Sequence, residues 1–280
     1  MSKDRNSIFI SCDMEGLAGV VSNRQRELSA PDYSKACLWM TEEVNSVIKG
    51  LVQCGVEEFI INDSHDSMQN LLLEKLHPEG KLLIGQSKQL SMMEGMDESY
   101  KGVMLLGYHA RWGIAEGIMA HTYSEICVDT VYLNGQAVGE TTLNAALAGY
   151  FGVPVLLVSG DQKVAEEVQE MGTGTTSVIV KESRGRTCGI MLSLEKIRAM
   201  LESAAINAWE KRKNIEPFVL ETPIEITVKL QETQMADTAE RIPDVIRVDD
   251  LTVQYTHEDY LTIYKTFLAI LTLAGASRMR

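Results

Sequence analysis

Short apolar runs without polar alternation recur between residues 8 and 180. They are Ile8-Phe9-Ile10, Phe59-Ile60-Ile61, Val103-Met104-Leu105-Leu106, Val155-Leu156-Leu157-Val158 and Ser177 to Val180. A strand with one wet face alternates apolar and polar residues, whereas a strand apolar on both faces must be covered on both. Between the first two runs, Met40, Val44, Val47, Ile48 and Leu51 recur at spacings of three and four. That spacing predicts a helix from about Pro31 to Cys54, with Gly55 in the usual stop position. Strand, helix, strand in this order predicts an α/β fold with a mostly parallel central sheet flanked by helices.

One segment breaks the pattern. Val131-Tyr132-Leu133, Asn134-Gly135 and Gln136-Ala137-Val138 read as a β-hairpin, because Asn-Gly suits a turn with positive φ at both central residues. A helix over about Glu140 to Tyr150 follows. Glu182 to Gly189 is polar and glycine-containing, and reads as a linker. Beyond it the sequence predicts a helix from Leu194 to about Arg212 and a strand from Ile224 to Leu230. A short helix near Asp237 to Arg241, a strand region from Val245 to Tyr255 and a closing helix from Asp259 to Ala274 complete it. The expected division is an α/β metal-binding catalytic domain over 1–183 and a smaller C-terminal α+β domain over 184–280.

Composition narrows the partners. The chain has 280 residues, 26 Lys and Arg against 39 Asp and Glu, and a formal net charge of −13. This balance argues against nucleic acid and against an anionic membrane surface, which both need concentrated basic residues. Hydrophobic residues at 45% and charged residues at 23% exclude wholesale disorder. The apolar stretch Thr266 to Ala276 is shorter than the roughly 20 residues a membrane span requires. Lys3, Asp4 and Arg5 are followed by an apolar stretch too short for an export signal. Cys12, Cys37, Cys54, Cys127 and Cys188 are odd in number and scattered, which reads as reduced thiols in a cytoplasmic protein.

The chemistry gathers where strands end. The first strand runs into Asp13 and Glu15, the second into Asn62-Asp63-Ser64-His65, and the third into Gly107-Tyr108-His109. The C-terminal ends of strands in an open parallel sheet form the ligand crevice. Asp13 and Glu15, two apart in extended chain, point the same way, and two such carboxylates repel unless a cation lies between them. Asp, Glu and His together suit Zn²⁺ in a catalytic site, and Mn²⁺ or Fe²⁺ would accept the same set. Taken singly, each has a plain structural reading. Asp13 or Glu15 can cap a helix, Asp63 and Ser64 can shape a turn, and Glu140 can complement the dipole of the helix it opens. His77 and His257 lie away from the strand ends and read as structural. Asp161 reads as the cap of a helix starting near Lys163. No dinucleotide fingerprint, P-loop, H-E-x-x-H or G-x-S-x-G motif occurs.

The segments S-C-D-M-E-G from Ser11, M-T-E-E from Met40, N-D-S-H from Asn62, L-H-P from Leu76, M-M-E-G-M-D from Met92, L-G-Y-H-A-R from Leu106 and V-G-E from Val138 resemble, in order, the D-aminopeptidases of the dipeptide-operon type, the DppA-like zinc peptidases. The resemblance covers residues 8 to 160 and only the general layout beyond. It implies two Zn²⁺ per chain. Asp13 would bridge both, Glu15 and His109 would hold one, and His65 and Glu140 the other. His121 would be the catalytic residue, as proton-transfer group or as nucleophile. Proton transfer is the favoured role, since histidine titrates near neutral pH. Ala120 stands where the family has Ser, and the segment from His109 to His121 is one residue longer than the family's. The resemblance further implies a homodecameric ring and hydrolysis of short peptides with N-terminal D-residues of the D-Ala type. An L-specific aminopeptidase, another two-metal hydrolase and a non-catalytic peptide-binding protein are the alternatives.

Overall fold

The computed structural model describes residues 6–278. Lys3, Asp4 and Arg5 lie outside the described residues. In chain order, β1 (Ser7–Cys12) passes through the one-turn helix α1 (Asn23–Arg26) into α2 (Tyr33–Gln53). The strands β2 (Glu58–Asp63), β3 (Gly80–Leu83) and β4 (Val103–Leu106) come next. The hairpin β5 (Val128–Leu133) and β6 (Gln136–Val138) precedes α3 (Glu140–Tyr150), β7 (Val155–Asp161), α4 (Gln162–Glu170), β8 (Thr176–Gly185) and β9 (Cys188–Met191). The remainder is α5 (Leu194–Glu210), β10 (Ile224–Leu230), α6 (Thr233–Ala239), β11 (Ile246–Arg247), β12 (Thr252–His257) and α7 (Tyr260–Ser277).

Seven strands form one sheet in the order β3-β2-β1-β4-β7-β8-β9, parallel except for β9. Both faces are covered, which is why its central strands carry no polar alternation. Ile8 and Ile10 pack with Met40, Val44 and Ile48 of α2 and Ile197 and Leu201 of α5, while Phe9 and Leu105 face a second core. Gly50 lets α2 and α5 approach closely, since a Cβ there would stand 2.5 Å from the Glu202 carbonyl oxygen.

The second core lies between this sheet and an antiparallel one ordered β11-β12-β10-β5-β6. The boundary expected from the sequence lies at residue 183. That point falls inside β8, and the stretch expected as a linker is the end of β8 and its turn into β9. This stretch is polar because it runs along the sheet's edge, where one side meets water. Helix α5 packs on the parallel sheet, and the hairpin β5–β6 belongs to the antiparallel one. The second layer is therefore assembled from two separated pieces of chain.

Helix α7 extends beyond the apolar stretch read from the sequence, to 18 residues. By length and composition alone it could cross a membrane, and a third of it is buried. Its buried stripe of Tyr260, Ile263, Tyr264, Phe267, Ile270 and Ala274 belongs to the second core, the arrangement of an amphipathic core helix. All five cysteines are free.

Candidate metal centre

The chain leaves β1 to build outward through β2 and β3, then returns to β4 on the opposite flank. The C-terminal ends of β1 and β4 therefore border a topological switch point, where open α/β sheets place their ligands. Two glycines press the loops there together. Gly16 N–H donates to the Gly107 oxygen at 2.7 Å, and a Cβ on Gly16 would fall 1.9 Å from the Tyr108 oxygen. Gly107 adopts φ +69°, with the Asp13 oxygen 2.2 Å from where its Cβ would be. Only glycine fits either position.

His65 is carried on a loop that Asp63 ties down. The Asp63 carboxylate, fully buried, accepts from Asn70 N at 2.6 Å and Leu71 N at 2.7 Å, and Asn70 Nδ2 donates to the His65 oxygen at 2.7 Å. Asp161 caps α4 through Lys163 N (2.9 Å) and Val164 N (3.1 Å), as its position predicts. Its other oxygen accepts from Ile118 N at 3.0 Å and so anchors the loop that carries His121. Behind the loops, Ser11 Oγ bonds Ser64 Oγ at 2.8 Å and Tyr108 OH at 2.7 Å, and Asn144 Nδ2 donates to Tyr108 OH at 2.9 Å.

All six side chains singled out in the sequence converge here, and all six are buried. Asp13 Oδ1 is 3.3 Å from His65 Nδ1, and Asp13 Oδ2 is 3.4 Å from His109 Nε2. Glu15 Oε2 lies 2.9 Å from His65 Nδ1, and Glu140 Oε1 lies 3.4 Å from His109 Nε2. The grouping differs from the one the resemblance implied. Glu15 sits with His65, and His109 with Glu140. The strand order explains this, since β2 and β4 lie on opposite sides of β1 and bring His65 and His109 to opposite flanks of Asp13. His121 stacks on His109, ring centroids 4.1 Å apart, with its Nε2 3.9 Å from Glu140 and 4.0 Å from Glu15.

Backbone carbonyls fix the imidazole orientations. His65 Nε2 bonds the Arg26 oxygen (3.0 Å), His109 Nδ1 the Ala110 oxygen (3.0 Å) and His121 Nδ1 the Met119 oxygen (2.9 Å). Each histidine thus turns its other nitrogen toward the carboxylates, the usual second contact of a metal-binding imidazole. Glu15 Oε2 and His109 Nε2 are buried and make no well-formed hydrogen bond, facing only the ion-pair partners of the cluster itself. Buried polar atoms rarely stay unpaired, and a divalent cation on each flank of Asp13 would satisfy both. Asp13, Glu15 and His65 offer ligand atoms within 4.8 Å of one another, as do His109, His121 and Glu140. The residues fit a metal centre.

The electrostatics agree. Burial alone would lower the pKa of His65, but Glu15 and Asp13 outweigh it and hold it well above the usual value. Glu140 and Asp13 do the same for His109. Burial would raise Glu15, yet His65, His121 and His109 hold it well below the carboxylate range. Asp13 is pushed up by burial and by Glu15, against the hydrogen bonds of His109 and His65. A cation entering such a cluster takes the place of protons held on imidazoles.

A cavity of about 250 Å³ opens onto the cluster, bordered by Asp66, Met68, Ser91 and Tyr123. His77 and His257 take no part. Their Nδ1 atoms accept local backbone amides, from Glu79 at 3.3 Å and Asp259 at 2.9 Å. The residues that sequence reasoning missed are supporting ones: Arg26, Ser11, Asn144, Glu43 and Lys181. They lie outside the strand-end motifs, except Ser11, which looks like ordinary strand polarity.

Comparison with known proteins gives the same direction. A family model described as D-aminopeptidase, peptidase M55, matches residues 7–269. A D-aminopeptidase of Bacillus subtilis (strain 168) is 34% identical over 268 residues, spanning 95% of this chain and 97% of the relative. The solved structure of the Zn-dependent D-aminopeptidase DppA from Bacillus subtilis, described as a self-compartmentalizing protease, superposes with a TM-score of 0.92. It is 34% identical and covers 96% of this chain and 98% of that one. The chain belongs to the D-aminopeptidase family, peptidase M55, and with it to the metal-dependent peptidases.

Proposed function

We propose that this chain is a zinc-dependent aminopeptidase that removes N-terminal D-residues of the D-Ala type from short peptides. In this reading it binds two Zn²⁺ per chain. Asp13, Glu15 and His65 hold one, Asp13, His109 and Glu140 the other, and His121 moves the proton. The observation that carries it is Asp13, whose two oxygens face a histidine and glutamate pair on either side. The name of the similar Bacillus subtilis protein supports the D preference, and its description as Zn-dependent supports the metal.

Bound divalent ions lower the pKa of a water and polarise the attacked carbonyl. The chain's own groups do the rest. His121, its Nδ1–H committed to the Met119 oxygen, presents Nε2 to accept the proton released as water oxygen attacks the carbonyl carbon. It returns that proton to the leaving nitrogen as the C–N bond breaks. Tyr123 N–H, donating to Glu140 Oε1 at 2.6 Å, keeps that carboxylate turned to His109. The self-compartmentalizing relative supports a homo-oligomer, which we extend to a decameric ring acting in the cytoplasm.

The test is metal analysis of the purified protein, followed by hydrolysis of D-Ala and L-Ala p-nitroanilides with and without chelator. Two zinc per chain and chelator-sensitive cleavage of the D-substrate are expected. Full activity without metal would end the reading, and preference for the L-substrate would overturn its stereochemistry.

A further inference from the structure

Arg26 lies at the end of α1, outside every motif that supplied a candidate ligand. Its backbone oxygen receives the Nε2–H of His65 at 3.0 Å. Its guanidinium donates from Nη1 to Glu15 Oε1 at 3.0 Å, from Nε to Asn23 Oδ1 at 3.0 Å, and from Nη2 to Glu125. Glu125 also pairs with Arg186 at 3.4 Å, and Arg186 in turn donates to the Ala120 oxygen at 2.6 Å and lies over the Trp112 ring. Glu15 and His65, the two groups that join Asp13 on one flank, therefore both lean on one residue. The Arg26 side chain is 13% exposed, so its charge acts on Glu15 with little screening.

We propose that Arg26 is a positioning residue for the Glu15–His65 half of the centre. By occupying Glu15 Oε1 it leaves Oε2, which faces His65 Nδ1 and makes no well-formed hydrogen bond, as the one turned to a cation. Through its carbonyl it fixes His65 with Nδ1 facing inward. The other half is held differently. Both histidines rest on backbone carbonyls, but Glu140 takes the Tyr123 backbone amide where Glu15 takes a side chain, so only Glu15 has support that a side-chain change removes. The Arg26 side chain therefore serves one ion and not the other. The bridge from Arg26 through Glu125 to Arg186 spans α1, the 120–126 loop and the β8–β9 turn, so Glu125 holds the guanidinium in place.

This inference rests on the two-metal reading, and one experiment separates the two. Zinc affinity and stoichiometry are measured by chelator competition on the wild type, Arg26→Ala, Arg26→Lys and Glu125→Gln, beside the melting temperature of each metal-free protein. The wild type holds two zinc; a zinc-free wild type would sink the metal reading itself. Arg26→Ala keeps one ion at wild-type affinity and weakens the other about tenfold to a hundredfold, the usual effect of removing a ligand's outer support. Raising free zinc restores its turnover. Arg26→Lys, which keeps a charge but loses the fork, and Glu125→Gln fall between. Equal loss of both ions, no loss of either, or turnover that added zinc does not restore would overturn the assignment. If Arg26→Ala does not fold, Arg26→Lys and Glu125→Gln carry the same one-ion comparison.

Discussion

On the crevice side of the Asp13–Val20 loop, three carboxylates and three imidazoles meet. On the side facing α2 and β8, Glu43 and Lys181 are buried as deeply. Lys181 Nζ donates to the carbonyl oxygens of Glu15 and, at 2.7 Å, Val20, and Glu43 Oε1 accepts from Ala18 N at 2.9 Å. The rear pair thus holds the loop by its backbone. The crevice cluster instead leaves atoms of two different residues, Glu15 and His109, without a well-formed hydrogen bond on either side of Asp13. Glu43 Oε2 also lacks one, but burial pushes Glu43 up to about 7, where a proton resolves a lone acid. Depth of burial does not separate a site from a support; convergence of ligand atoms that lack such bonds does.

The sharpest test of that difference is Asp13→Asn, which keeps the shape but replaces one shared oxygen with an amide. Both zinc ions weaken and turnover on the D-Ala substrate disappears, while the metal-free melting temperature changes little. Retention of both ions would mean that Asp13 does not bridge. His121→Ala comes next. Loss of a proton-transfer group lowers kcat by about 10²–10⁴-fold, with both ions retained. An unchanged kcat would remove the role given to His121.

On the rear side the expected signature reverses. Lys181→Met leaves the Glu15 and Val20 carbonyls without their donor and costs roughly 2–3 kcal/mol of stability, read from a denaturant midpoint in chelator. Relief of the buried charge, which burial holds down to about 8, offsets part of the loss. Under excess zinc the folded variant still binds two ions. Loss of binding without loss of stability would place Lys181 functionally with the crevice.

Four members of the crevice cluster are legible in the sequence because they follow strands, and strand ends in a parallel sheet share an edge, whereas His121 and Glu140 enter only through the family resemblance. Asp13, Glu15, His65 and His109 can be placed together without a strand order. Their grouping cannot, since it depends on β2 and β4 flanking β1. Nor can Arg26, whose contacts cross from α1 to two distant loops. The division of the chain escapes local reading because the hairpin at Asn134-Gly135, itself plain from its turn residues, pairs with β10, some 90 residues away. Local pattern reveals an element, whereas its partner is set by long-range packing.

The smallest effect separates the two clusters by pH. Burial raises Glu43 from 4.5 to about 7, against the opposing influence of Ala18 N–H, Lys181 and Arg198. Between those values the folded chain holds a proton that the unfolded chain has released, so stability falls as pH rises, and the loss is complete above about 7. Glutamine at this position accepts from Ala18 without titrating. Lys181 and the crevice acids are common to both proteins and cancel to first order in their difference. Each pH unit crossed between the two values is worth about 1.4 kcal/mol. The stability of Glu43→Gln relative to wild type should therefore grow by roughly 2–3 kcal/mol between about pH 5 and 8. Urea midpoints in chelator measure it. A difference that stays flat with pH would show that Glu43 is ionised throughout, and the rear cluster would then be a buried ion pair with Lys181 instead of a neutral acid beside a lysine held by carbonyls.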